Sequence, residues 1–133
     1  MIYAVVDTNV FVSALWTKNK EAATARLVDI LRAGGFTPLY NDEILAEYKE
    51  VLSRDKFDFP EESISSILAY MRDYGLNSER VPFDEIMPDE TDRVFYEVAL
   101  SHEDAYLVTG NQRHFPVNPI VVTPAEMLDI LSR

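Results

Sequence analysis

The sequence has 133 residues, a formal net charge of −11, 47% hydrophobic residues and no cysteine. This composition is typical of a globular protein, and it excludes a disordered chain, a disulfide framework and a thiolate metal site. No apolar run approaches the ~18 residues of a membrane span, and the first residues lack the pattern of a signal peptide. We therefore expect a single domain over residues 1–133 that is soluble, cytoplasmic and not bound to a membrane.

The negative charge is unevenly distributed. Residues 84–104 contain eight acids and one base, Arg93, whereas residues 1–40 contain three acids and four bases. The overall charge argues against strong binding to a phosphate backbone, because phosphates attract lysine and arginine. A local acidic cluster is usually a solvated surface, but it is also typical of an ion site before the metal neutralises it.

Five segments are predicted to be strands. The first, Ile2–Val6, is apolar without a break and rich in β-branched residues, which predicts a strand buried on both faces. The others are, in chain order, Phe36–Tyr40, Ser78–Pro82, Ala105–Thr109 and Ile120–Val122. The segment that ends in Pro82 is predicted to be an edge strand, because proline would interrupt a central ladder.

Segments with helical spacing of apolar residues separate these strands. We predict helices after Asp7, over residues 19–32, from a cap at Asn41 through Leu52, over residues 60–74, over Arg93–Leu100, and from a capping box at Thr123 through Leu131. Strands that alternate with helices indicate a mostly parallel sheet covered on both sides. The predicted fold is therefore an α/β protein, a three-layer α/β/α sandwich.

Polar residues follow the strands at positions that a parallel sheet brings to one edge. Asp7 and Asn111 follow strands directly, and Asp92 opens a helix that follows another strand. Glu47 lies in the second turn of its helix, beside the apolar stripe and near the same edge. Carboxylates gathered there would repel one another without a cation, and Mg²⁺ or Mn²⁺ with oxygen ligands satisfies such a site. These ions serve phosphoryl chemistry by activating water.

Each of these residues also has an ordinary structural interpretation. Glu47 could form a buried ion pair with an arginine, and either Asp89 or Asp92 could cap the helix that follows. Histidines 102 and 114 have no nucleophile or second histidine at a telling spacing, so we assign both to packing or to the surface. Trp16 is assigned to the core or to a dimer contact.

Taken together, the motifs resemble the PIN domain, in particular the branch described as toxins of toxin–antitoxin systems. The resemblance covers nearly the whole chain and depends on the order and spacing of four motifs: Asp7-Thr8-Asn9, Leu45-Ala46-Glu47-Tyr48, the segment DETDRVFYEVAL that contains Asp92, and Leu107-Val108-Thr109-Gly110-Asn111. It implies a metal-dependent ribonuclease that is held inactive by an antitoxin. It also implies a homodimer formed through the early helices.

The resemblance implies roles for individual residues. Asp7, Glu47 and Asp92 match the three core acids, which bind Mg²⁺ or Mn²⁺ and direct water onto an RNA phosphodiester, leaving a 5′-phosphate and a 3′-hydroxyl. The supporting residues are Thr8, Asn9, Thr109 and Asn111. Asn111 stands where the family often has a fourth acid, and the acids that could replace it are Asp89 and Asp104. The exposed bases that could meet the RNA backbone are Lys18, Lys20 and Arg113.

Two other families, one of enzymes and one of signalling domains, are disfavoured. One alternative within the PIN family stays open. A haloacid dehalogenase-type phosphatase needs a second acid where Asn9 stands. A receiver domain needs an acid pair after the first strand and a lysine after a late one, and neither is present. The open alternative is a catalytically weak PIN-type module that mainly binds an antitoxin or assembles a complex, which Asn111 and the net charge both favour.

Overall fold

The computed structural model describes residues 1–133 and contains a single five-stranded sheet. All neighbouring strands are parallel, in the order β3-β2-β1-β4-β5. The strands are β1 Tyr3–Val6, β2 Thr37–Tyr40, β3 Leu76–Asn77, β4 Tyr106–Val108 and β5 Val121–Val122. The predicted α/β/α sandwich is confirmed, and the sheet is entirely rather than mostly parallel.

Six α-helices accompany the sheet: α1 Thr8–Trp16, α2 Ala23–Arg32, α3 Asp42–Leu52, α4 Glu61–Tyr74, α5 Arg93–Ala99 and α6 Pro124–Leu131. Two 3₁₀ turns, Glu90–Asp92 and Gln112–His114, precede α5 and follow β4. Helix α5 packs against β1, β2 and β4. None of the helices combines the length and the apolar character needed to cross a bilayer.

The central strand β1 determines where the site forms. Its residues Ala4, Val5 and Val6 are at most 1% exposed, as expected of a strand covered on both faces. Val6 is in register with Val108 on β4, and the Asp7 amide donates a hydrogen bond to the Val108 carbonyl at 2.9 Å. The chain segments after β1 and β4 therefore leave the sheet side by side.

The helix caps predicted from the sequence at Asn41 and Thr123 are present in the structure. The Asn41 side chain accepts a hydrogen bond from the Ile44 amide at 2.8 Å and caps α3. Thr123 and Glu126 form the predicted capping box at the start of α6. Helix α2 is followed by Gly34, whose φ of +81° is readily adopted only by glycine.

Two predicted boundaries are wrong, and local hydrogen bonds explain both. The helix predicted from Asn19 begins only at Ala23, because the Asn19 side chain accepts from the Glu21 amide at 3.0 Å and forms a turn instead. The edge strand predicted at Ser78–Pro82 is instead the pair Leu76–Asn77. The chain then turns away from β2 towards α5, because the Val81 amide donates a hydrogen bond to the Glu97 carbonyl on α5 at 3.0 Å.

Candidate metal centre

Asp7 lies where the central strand ends and α1 begins. Its residue surface is only 5% exposed, and Oδ2 accepts a hydrogen bond from the Thr109 hydroxyl at 2.8 Å. Although Asp7 occupies the N-cap position of α1, its side chain makes no capping hydrogen bond. The buried carboxylate is therefore held from the side of β4 rather than used to close its own helix.

Thr109 and Asn9 connect the segments that follow β1 and β4. The buried Thr109 hydroxyl also accepts hydrogen bonds from the Asn111 amide at 3.0 Å and from Asn9 Nδ2 at 3.5 Å. Asn9 Oδ1 in turn accepts from the Gly110 amide at 3.1 Å. These contacts fix the position of Asp7, because its hydrogen-bond donor is itself held at two further points.

Burial raises the pKa of Asp7 above its ordinary value. The Thr109 hydroxyl, the backbone of Thr8 and His114 act in the opposite direction, and the negative charge of Glu47 raises the pKa further. The net effect is a raised pKa, so the protein does not fully compensate the negative charge of the Asp7 carboxylate. A cation near Asp7 would supply that compensation.

Glu47 is half-buried on α3, and its charge acts on Asp7, which places its carboxylate in the same region. Tyr48 is fully buried, and its hydroxyl donates to the Val6 carbonyl oxygen at 2.5 Å, which joins α3 to the end of β1. Two other glutamates of α3 form ion pairs, Glu50 with Arg54 and Glu43 with Arg80, each at 2.8 Å, and no ion pair includes Glu47. A buried ion pair therefore does not explain the position of Glu47.

The structure separates the two aspartates that could cap the helix at residue 93. Asp89 Oδ1 accepts from both the amide and the hydroxyl of Thr91, at 3.0 and 2.8 Å, and caps the 3₁₀ turn. Asp92 makes no capping hydrogen bond, and only 15% of its side chain is exposed. Burial, together with the charges of Asp7 and Asp89, raises the pKa of Asp92 to about 6. Asp92 therefore belongs electrostatically to the neighbourhood of Asp7.

His114 is a member of this cluster that sequence reasoning missed. Its Nδ1 lies 3.2 Å from Asp92 Oδ2 and 4.0 Å from Asp89 Oδ2, and its Nε2 lies 2.8 Å from Asn111 Nδ2. One ligand atom from each of Asp89, Asp92 and His114 lies within 4.8 Å of the others. The side chain of His114 is 44% exposed, as expected of a surface histidine, but its contacts with two acids were not predicted. A signal was present in the spacing Asn111-x-x-His114 after a buried strand, which a 3₁₀ turn converts into a contact.

Asp104 does not lie near this cluster. It is exposed and precedes β4, so it sits at the amino edge of the sheet, whereas Asp7 follows β1 at the carboxyl edge. A parallel sheet separates these two edges by the length of its strands. Asp104 is therefore not an alternative acid for this site, whereas Asp89 is close to Asp92.

Glu97 is a buried acid that the sequence did not bring to notice. It is 6% exposed, and its two oxygens accept from Arg80 Nε at 2.7 Å and from the Phe83 amide at 2.8 Å. Burial alone would raise the pKa of Glu97, but the hydrogen bonds from Phe83 and Arg80 lower it below its usual value. Glu97 is thus fully satisfied within the protein and holds the loop before α5 in place.

Trp16 and the three candidate RNA-contacting bases lie at the surface of the protein. Trp16 is 62% exposed, with its ring edge-on against Phe57, so its assignment to the core is wrong. The three candidate RNA-contacting bases, Lys18, Lys20 and Arg113, are all exposed. Arg113 belongs to the same 3₁₀ turn as His114, which brings its backbone beside the acidic cluster.

A family model for the PIN domain matches residues 3–113. The chain belongs to the PIN domain family. No curated protein matches the sequence significantly. PIN domains are generally nucleases and typically use divalent metal ions. The matched range includes Asp7, Glu47, Asp89 and Asp92 and ends one residue before His114.

The residues of this PIN domain fit a divalent ion. The carboxylates of Asp7 and Asp92 both have raised pKa values, and neither is neutralised by an arginine or lysine. The Thr8 hydroxyl, adjacent to Asp7, is buried without any hydrogen-bond partner. A buried polar group without a partner is uncommon in proteins, and a water or ion beside Asp7 would satisfy it. Oxygen donors of this kind suit hard divalent cations.

Proposed function

We propose that this PIN domain is a metal-dependent endoribonuclease in which Asp7, Glu47 and Asp92 bind Mg²⁺ or Mn²⁺ and hydrolyse RNA phosphodiesters. The observation that carries the proposal is the electrostatic coupling of these acids. Asp7 and Glu47 interact, Asp7 and Asp92 interact, and none of the three forms an ion pair with an arginine or a lysine, although the charge of the exposed Arg54 reaches Glu47. Acids kept close and uncompensated are what a metal-dependent nuclease requires.

Each residue has a separate task in this proposal. Asp7 and Asp92 hold the ion, and Glu47 binds it directly or through a water. When bound, the ion would orient a water, lower its pKa and neutralise the departing oxygen. Thr109 positions Asp7 through the hydroxyl contact at 2.8 Å, and Asn9 positions Thr109. Water added across the phosphodiester would leave a 5′-phosphate and a 3′-hydroxyl.

The proposal predicts cleavage that depends on a divalent ion. Purified protein incubated with single-stranded RNA and Mg²⁺ or Mn²⁺ should yield fragments that carry a 5′-phosphate, detected by a 5′-phosphate-dependent exonuclease. Excess EDTA should stop the reaction, and renewed ion should restore it. Cleavage that continues in EDTA would contradict the proposal. Metal binding without cleavage of any RNA would favour the alternative of a catalytically weak binding module.

We also propose that the protein is the toxin of a toxin–antitoxin pair in the cytoplasm and forms a homodimer. The support is the resemblance to that branch of the family, together with a groove of about 350 Å³ between α1, α2 and α4 that is lined by both apolar and charged residues. Phe11, Leu15 and Ile67 line the groove, and the exposed ring of Trp16 lies on the same helix, α1. Phe11 and Ile67 are at most 3% exposed, so the exposed apolar surface here consists of Trp16 and the half-buried Leu15. Exposed apolar surface next to a groove favours a protein partner.

Partner binding is tested by co-expression with the product of the adjacent gene. We expect a complex that survives size-exclusion chromatography and cleaves RNA more slowly than the free protein, because the antitoxin is proposed to block the site. For the free protein, sedimentation should give a dimer. A monomer at micromolar concentration would contradict the homodimer. A complex that cleaves RNA as fast as the free protein would contradict the antitoxin.

A further inference from the structure

We propose that His114 is a ligand of the divalent ion through Nδ1, together with Asp89 and Asp92, and that Asn111 orients the imidazole ring from the opposite side. This inference rests on the proposed function, because it concerns the same ion. The sequence predicts only carboxylate and amide ligands at this site, and His114 would add a nitrogen donor. It also assigns a task to Asn111, which stands where the family often has a fourth acid.

The possible donor atoms of His114, Asp92 and Asp89 lie close together. Nδ1 of His114 faces Oδ2 of Asp92 at 3.2 Å and Oδ2 of Asp89 at 4.0 Å. All three donors lie within 4.8 Å of one another. Bonds of about 2.0–2.2 Å place the ligands of one ion at most about 4.4 Å apart, so a small closing movement would let one ion bind all three. Without an ion, the contact at 3.2 Å is a histidine–aspartate hydrogen bond, and an ion placed between the three side chains would replace it.

The hydrogen bonds of the two aspartates are arranged so that the donor atoms stay available. Asp89 uses Oδ1 for both contacts with Thr91, which leaves Oδ2 on the side of His114. Asp92 makes no capping bond, although it precedes α5 directly. No lysine or arginine forms an ion pair with either acid. The imidazole is therefore the only side-chain partner that competes for these oxygens.

The Asn111 side chain completes the arrangement. Its amide nitrogen lies 2.8 Å from His114 Nε2. In this arrangement the amide nitrogen donates to Nε2, and Nδ1–H donates to Asp92. Binding of an ion by Nδ1 therefore requires loss of that proton and a half-turn of the amide, which exchanges its nitrogen and oxygen within the same volume. The oxygen then accepts Nε2–H, and the lone pair of Nδ1 points at the two carboxylates. Metal-bound histidines usually donate their second N–H to an oxygen in this way, which fixes both the tautomer and the ring.

A nitrogen ligand changes which ion the site prefers. Mg²⁺ favours carboxylate and water oxygens, whereas imidazole suits Zn²⁺ and other late transition ions. An asparagine at position 111 orients the ring without adding a negative charge. We therefore expect this protein to bind Zn²⁺ more tightly than Mg²⁺, and we expect that preference to depend on His114.

The test measures ion binding directly, independently of RNA cleavage. Calorimetric titrations with Zn²⁺ and with Mg²⁺ compare the wild type with His114→Ala and with His102→Ala. His102 is the matched control, because it is the only other histidine and packs on Tyr3, at the opposite end of β1 from Asp7. His114→Ala should weaken Zn²⁺ binding by at least about tenfold and Mg²⁺ binding by less than about threefold. His102→Ala should change neither.

A spectroscopic measurement separates coordination from a structural effect. With ¹⁵N-labelled histidine the protein gives signals from two imidazoles, and one equivalent of Zn²⁺ should shift Nδ1 of His114 and leave His102 unchanged. Asn111→Leu removes the acceptor for Nε2–H and should weaken Zn²⁺ binding by about tenfold, whereas Asn111→Asp keeps an acceptor and should retain it. Circular dichroism of each variant verifies that it is folded.

Three results would overturn the inference. An Nδ1 signal of His114 that does not move with Zn²⁺ excludes it as a ligand, as does a Zn²⁺ affinity that His114→Ala leaves within twofold. In both cases the proposed nuclease function stands if Asp92→Asn still weakens binding of Mg²⁺. Wild-type protein that binds neither ion contradicts the inference and the proposed function together.

Discussion

Replacing Asp7 by asparagine is expected to reduce ion-dependent RNA cleavage by at least about 100-fold, the order lost when one preorganised electrostatic group is removed from an active site. The amide has the size of the carboxylate, and its oxygen can still accept the Thr109 hydroxyl that now lies 2.8 Å away. What the variant loses is the negative charge that holds the ion. Cleavage rates under single-turnover conditions, with saturating Mg²⁺ or Mn²⁺, measure the effect.

The same substitution is expected to stabilise the ion-free protein near neutral pH. Burial raises the pKa of Asp7, and burial with neighbouring acids raises the pKa of Asp92 to about 6. A raised pKa in the folded state means that folding favours the protonated carboxyl group. The stabilisation is complete below the unfolded pKa, near 3.8, and is lost as the pH rises through the folded pKa. The ion-free wild type should therefore lose stability between about pH 4 and pH 6.

Urea denaturation in EDTA at several pH values measures this dependence. Asp7→Asn and Asp92→Asn should each flatten the loss of stability with rising pH, because each removes one of the buried charges. Adding Mg²⁺ should stabilise the wild type more than either variant, since the ion binds the folded carboxylates. A variant that is less stable than the wild type at neutral pH without the ion would show that the carboxylate charge is already compensated by the protein.

Asp104→Asn is the matched control for Asp7→Asn. It removes the same charge from an exposed residue at the opposite edge of the sheet. Its φ of +65° is a conformation that asparagine adopts readily, so the substitution introduces no strain. Cleavage by Asp104→Asn should remain within about twofold of wild type, as expected for surface substitutions away from a site. If Asp7→Asn behaves like Asp104→Asn, the assignment of Asp7 to catalysis is refuted.

Replacing Glu97 by alanine is expected to lower the free energy of unfolding by about 2–3 kcal/mol. The substitution leaves the Phe83 amide without its acceptor and removes one partner of Arg80, at 2.8 and 2.7 Å respectively. Removing one member of a buried pair usually costs about 3–5 kcal/mol, and the value here is smaller because Arg80 is 32% exposed and keeps its second partner, Glu43. Urea denaturation at neutral pH measures the loss.

Glu43→Ala provides the comparison, because it removes the other carboxylate from the same guanidinium. The Glu43 side chain is 57% exposed, so its ion pair with Arg80 is expected to contribute less than about 1 kcal/mol. Equal losses for the two variants would contradict the distinction drawn here between a buried and an exposed partner. In Glu43→Ala the affinity for Mg²⁺ should match the wild type, because Glu43 is exposed and does not belong to the cluster around Asp7.

Much of the fold could be predicted because its signals are local. An uninterrupted apolar run predicted β1, which lies buried at the centre of the sheet. Helical spacing predicted α3, and the Asn41 cap predicted its start. The wrong boundaries arose where a non-local contact decided the outcome, as in the bond from the Val81 amide to the Glu97 carbonyl that diverts the chain after β3.

The sequence by itself determined the parallel α/β architecture and the placement of Asp7 at a strand end, because apolar periodicity and strand–helix alternation are properties of neighbouring residues. Only the tertiary structure decided which acids meet. In the structure Asp89 caps the 3₁₀ turn and Asp92 makes no capping hydrogen bond. His114 contacts both acids, and Asp104 lies at the opposite edge of the sheet. The physical reason is that a side chain's charge environment depends on residues distant in sequence, which strand register and helix packing bring together.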